Sequence, residues 1–108
     1  MTIPKLIKNG KVAVIVSRGF GIGFSTSMCE KLNQEKSLFD PTLVSLIEQG
    51  ADSKKLLTAA QLIYGEDESI GDVDSLAVVW VPEGTKFLIA EYDGAEFLIF
   101  EDDLKFTA

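Results

Sequence analysis

Lys11-Val12-Ala13-Val14-Ile15-Val16-Ser17-Arg18-Gly19-Phe20-Gly21-Ile22-Gly23 is the stretch that decides the fold. Its first seven residues form a nearly continuous β-branched run, the pattern of a central strand buried on both faces. Three glycines in the next five or so positions let the backbone turn sharply and approach its neighbours closely. The strand therefore ends in a glycine turn, and a helix is expected beyond it. Ser25 or Ser27 can cap that helix, and Ser27-Met28-Cys29-Glu30 has capping-box spacing, so a helix to about residue 35 is predicted.

Working outward, Asn9-Gly10 marks a hairpin turn, with Lys5–Lys8 as a short first strand or an extended arm. Asp40-Pro41 opens a second helix, because Asp accepts orphan N–H groups and Pro at the first position needs no donor. Leu43, Val44, Leu46 and Ile47 form its apolar stripe, and Gly50 stops it. Ser53 is expected to cap a third helix over 54–64, with Leu56, Leu57, Ala60 and Ile63 inward, and Gly65 ends it. Residues 66–75 read as an acidic loop.

Three strands follow. Leu76–Val81 leads into Pro82-Glu83-Gly84-Thr85. Lys86–Tyr92 leads into Asp93-Gly94, a strong type I′ hairpin signal, and Ala95–Glu101 completes a meander. Residues 102–108 read as a polar tail. The expected class is α/β in the broad sense, specifically α+β, as one domain over 1–108. Its order is β-(α)3-βββ around a small mixed, mostly antiparallel sheet, with helices on one face.

Composition narrows the function. In 108 residues, ten Lys and Arg face seventeen Asp and Glu, for a net charge of −7. Duplex nucleic acid is not an expected partner, because phosphate neutralisation needs clustered cations. A small nucleotide stays open, since one arginine and a few backbone N–H groups can hold a phosphate. The chain has no histidine, which removes Ser-His-Asp and Cys-His catalysis and the commonest metal ligand. With one cysteine, Cys29, no metal or cofactor is expected, and no internal disulfide can form. Apolar runs are far shorter than the roughly 20 residues a bilayer span needs, so no membrane partner is expected. The first residues lack the apolar core of a signal peptide, so a cytosolic location is expected.

The glycine turn has two readings. Backbone N–H groups of Gly21, Gly23 and Phe24, with Ser17, Arg18, Gly19 and Ser25, can hold a phosphate, while Phe20 and Tyr92 stack on bases. Alternatively the glycines only permit a tight turn, and the phenylalanines plug the core. The spacing G-x-G-x-G fits neither a dinucleotide-binding fold nor a P-loop. The second cluster, Glu91-Tyr92-Asp93-Gly94-Ala95-Glu96, places Glu91 and Glu96 across a hairpin, facing solvent. A metal held by Glu91, Asp93 and Glu96 is the weakest reading. Trp80 reads as core or interface, and Cys29 as a small buried hydrophobe.

Three segments together resemble a family. Val14 to Ser25 is similar to an N-terminal motif of many small tailed-phage proteins: a strand, a polar and a basic residue, an aromatic, a glycine turn and a serine. Asp40-Pro41-Thr42-Leu43-Val44 resembles that group's helix start, and Ile89 to Glu96 its closing hairpin. The turn here is one residue shorter than the family's usual one, and residues 52–75 look like an expansion. The group is similar to the anti-CBASS sponge proteins of phages, which bind cyclic nucleotide messengers without cleaving them. The resemblance implies a non-enzymatic immune-evasion protein that sequesters a cyclic dinucleotide such as cyclic GMP–AMP. It also implies a homo-oligomer, dimer or tetramer, in the cytoplasm of the infected bacterial host. The alternative is a phage protein that docks an aromatic sheet face on a host protein, with a purely structural glycine turn.

Overall fold

The computed structural model describes residues 3–65 and 73–101. The expected acidic loop lies largely outside these residues, and the polar tail entirely so. The chain is α+β. Strands β1 (Ile7–Lys8), β2 (Lys11–Ser17) and β3 (Leu76–Pro82) make one sheet, in the order β1-β2-β3. Strands β4 (Phe87–Tyr92) and β5 (Ala95–Phe100) form a separate two-stranded ribbon. Between β2 and β3 lie a 3-10 turn, Ser25–Ser27, and helices α1 (Lys31–Phe39), α2 (Pro41–Glu48) and α3 (Ser53–Tyr64).

β2 is the centre of the fold, and every residue from Val12 to Ser17 is buried. It pairs with β3 along its full length, from Lys11 opposite Pro82 to Ser17 opposite Leu76. Alternation sends Ala13 and Ile15 to the helix-covered face, where they pack with Phe24, Leu43, Val44, Ala60 and Tyr64. Val14 and Val16 point the other way and are equally buried, which accounts for the unbroken β-branched run.

All pairings among the described strands are antiparallel, so the anticipated mixed sheet is antiparallel throughout. The expected meander also divides. At Pro82 the chain turns, with Thr85 N–H donating to the Pro82 carbonyl, and β4 then pairs with β5 alone.

Helix starts follow their capping chemistry. Asp40 Oδ1 accepts from Leu43 N–H at 3.0 Å, with Pro41 at the first helical position. Asp52, rather than the anticipated Ser53, caps α3 by accepting from Lys55 N–H at 2.9 Å. Leu56, Ala60 and Tyr64 form its buried stripe, while Leu57 and Ile63, expected inward, lie on its exposed side. Tyr64 donates its hydroxyl to Asp40 Oδ2, tying the end of α3 to the start of α2. Burial, then the Asp40 charge and this hydrogen bond, hold the Tyr64 hydroxyl well above its usual value.

The first predicted helix does not start at Ser25 or Ser27. Ser27 Oγ lies in donating range of the carbonyls of Gly23 and Phe24, and Glu30 rather than Ser27 stands at the N-cap of the next helix. α1 begins only at Lys31, after Glu30, and Cys29 stands exposed before it rather than buried within a helix.

Candidate functional site: a glycine turn built around a buried carboxylate

The turn after β2 wraps a carboxylate from β5. Glu96 is only 3% exposed. Its Oε1 accepts from Ser17 N–H at 2.8 Å. Its Oε2 accepts from Phe24 N–H at 2.9 Å, Thr26 N–H at 2.9 Å and Thr26 Oγ at 2.7 Å. Four donors thus converge on one anion, which satisfies both the buried charge and the donors of a turn with no ladder partner. Glu96 was expected to face solvent, and it does not. Glu91, its cross-strand neighbour, is exposed and uses Oε2 to accept from Gly94 N–H at 2.8 Å.

Close packing explains the glycines. A Cβ on Gly23 would overlap Thr26 Oγ1 and lie 2.9 Å from Glu96 Oε2. A Cβ on Gly94 would lie 2.5 Å from the backbone of Gly21. Gly21 N–H donates to the Asp93 carbonyl, so the glycine turn and the β4–β5 turn meet backbone to backbone.

The residues expected to hold phosphate or stack on bases therefore separate into two sets. Ser17, Gly23, Phe24 and Ser25 belong to the interior. The N–H groups of Ser17 and Phe24 are occupied by Glu96, and the Phe24 ring packs edge-on against Tyr64 with centroids 6.2 Å apart. Ser25 is fully buried, and its hydroxyl has no hydrogen-bond partner among the described residues. Gly19 sits where a Cβ would overlap the Ser75 side chain. Arg18, Phe20, Gly21 and Tyr92 belong to the surface. Phe20, on the glycine turn, is 73% exposed, and Tyr92, at the end of β4, is 74% exposed, on either side of the Gly21–Asp93 hydrogen bond.

Thr26, Asp93 and Glu96 were missing from the expected set. A signal for Glu96 was available: in β5 it alternates with Leu98 and Phe100, so it shares their face rather than that of Phe97. The weak metal reading loses its third ligand, because the Glu96 oxygens are already engaged. Among the described residues no group of three acidic or thiol side chains is arranged to hold a metal ion. No described helix is long and apolar enough to cross a membrane.

Trp80 is half-buried beside the helices, and its indole N–H donates to Glu48 Oε1 at 3.2 Å. Compared with family models, curated proteins and solved structures, the chain has no match.

Proposed function

We propose that this protein sequesters an anionic signalling nucleotide, without chemistry, at the surface rim formed by Arg18, Phe20 and Tyr92. The observation that carries this reading is the pair of exposed rings on two turns clamped to each other. Large aromatics left open to water on a rigid frame are suited to stacking on bases, and the adjacent guanidinium suits phosphate. Glu96 has a supporting role: it fills the turn from within and fixes the backbone that carries the rim. Phosphate is then held by Arg18 at the surface rather than in the interior of the turn.

The resemblance to phage sponge proteins supports a cyclic dinucleotide as the ligand, immune evasion as the purpose and the host cytoplasm as the place. A single rim covers one side of such a ligand. A second copy covering the other side would bury it fully, which supports a homo-oligomer.

The test is retention. Purified protein is incubated with a panel of cyclic di- and trinucleotides, freed of excess ligand and heat-denatured. Release of intact nucleotide is expected. Linear product, or nothing retained across the panel, overturns the reading. Arg18→Ala is expected to abolish retention while the fold is unchanged by circular dichroism.

A second reading has its own observation. The outer face of the ribbon carries Leu88, Tyr92 and Phe97, which are 60%, 74% and 48% exposed. Such a face suits docking on a host protein. The double variant Leu88→Ser/Phe97→Ser separates the two: nucleotide retention survives it on the first reading, and host-protein binding is lost on the second.

A further inference from the structure

Cations in this acidic chain are unevenly placed. Lys5, Lys31 and Lys86, three of its ten Lys and Arg, line one cleft between the N-terminal arm, α1 and the start of β4. Among the described residues, Glu35 is the one carboxylate in that lining. The cleft is an open groove of about 770 Å³, in size comparable with small-molecule sites. Its wall includes two aromatic rings: Phe39 meets Phe87 edge-on, with centroids 6.3 Å apart and planes at 71°. Lys5 Nζ lies 4.6 Å from the centre of the Phe39 ring, a cation–π contact that holds one ammonium group at the cleft. Leu88 and Ile89 extend the apolar wall.

We infer that this cleft binds a phosphorylated small molecule with a flat apolar portion, of nucleotide size, at a site distinct from the glycine-turn rim. Three lysines from three different segments line this one groove in a chain whose overall net charge is −7. A dianionic or trianionic phosphate would be paired by these lysines, and the Phe87–Ile89 wall accepts the apolar portion. Five residue steps along β4 separate Phe87 from Tyr92, about 16 Å of strand, so one mononucleotide cannot occupy both places. The inference stands whether or not the rim binds a messenger.

The test uses the full chain, isotope-labelled, with ADP and inorganic pyrophosphate as probes in low salt. Saturable amide shifts are expected at residues 31–39 and 85–89, with an ADP Kd below about 1 mM. ADP is expected to bind at least about threefold more tightly than pyrophosphate through the apolar wall, and both to weaken as salt is added. Lys31→Ala/Lys86→Ala removes two exposed side chains, so the fold is retained, and the ADP Kd is expected to rise at least about tenfold. Shifts confined to residues 18–24 and 92, shifts spread over all lysines, or an unchanged Kd in the double variant would each overturn the assignment.

Discussion

Asn9-Gly10 and Asp93-Gly94 are the same turn in two settings. Both place two successive residues at positive φ: 54° and 75° in the first, 50° and 88° in the second. At Gly10 nothing among the described residues lies within 4 Å of where a Cβ would sit. At Gly94 the backbone of Gly21 already occupies that space. The first turn only reverses a chain. The second is a joint, because the glycine turn rests on it and Glu96, two residues later, enters that turn. Identical local conformation thus carries different weight according to what leans on it.

The largest effect is expected from removing the anion inside the joint. Glu96→Ala leaves four donors without an acceptor, and a loss of about 3–5 kcal/mol is expected, much of a small domain's stability. Urea denaturation measures it, and a loss below about 1 kcal/mol would mean that the carboxylate does not organise the turn. The two turns themselves come next. Gly94→Ala combines left-handed strain with backbone overlap, for about 2–4 kcal/mol. Gly10→Ala carries the strain alone, about 1 kcal/mol. Equal losses in paired melts would erase the distinction between the turns.

A smaller effect contrasts Glu96 with the more accessible carboxylate Asp40. Tyr64→Phe removes one hydrogen bond to Asp40, for about 1 kcal/mol. The same pair sets an alkaline limit. The Tyr64 hydroxyl is raised in the folded state, so its contribution is fully present below the unfolded value near 10. Above that pH the unfolded chain releases the proton first, and stability falls as pH rises. Tyr64→Phe is expected to flatten that alkaline slope in pH-dependent melts. The smallest effect is at Ser25. Ser25→Ala removes a buried hydroxyl without a partner, and a change within about ±0.5 kcal/mol or a slight gain is expected. A loss above about 1 kcal/mol would assign that hydroxyl a structural bond.

Features set by neighbouring residues were legible in the sequence. The β-branched run of β2, the Asp40-Pro41 helix start and both hairpin turns follow from backbone preferences and local donors, and all are found. The capping box at Ser27 was locally plausible and failed: residues 25–27 form a 3-10 turn, held from one side by Glu96 through Phe24 and Thr26, 70 or more residues away, and the helix starts only after Glu30. The rim was half legible: Phe20 and Phe24 are both aromatics beside glycines, yet one is open and the other is core. Only the far strand decides between them. The charge and polarity of Glu96 argued for solvent, and four donors that no local pattern announces outweighed that preference.

The sequence separation of the Glu96 contacts has a consequence for how the protein is made. Ser17 and Glu96 lie 79 positions apart, so the emerging chain completes its first hairpin and all three helices before the acceptor of the turn exists. Until then the donors of residues 17–26 remain solvated, and the surface that depends on them cannot mature. Such non-local closure slows folding. The emergence of β5 therefore acts as the assembly signal, and a product truncated before residue 96 would carry every glycine of the turn yet lack its finished shape.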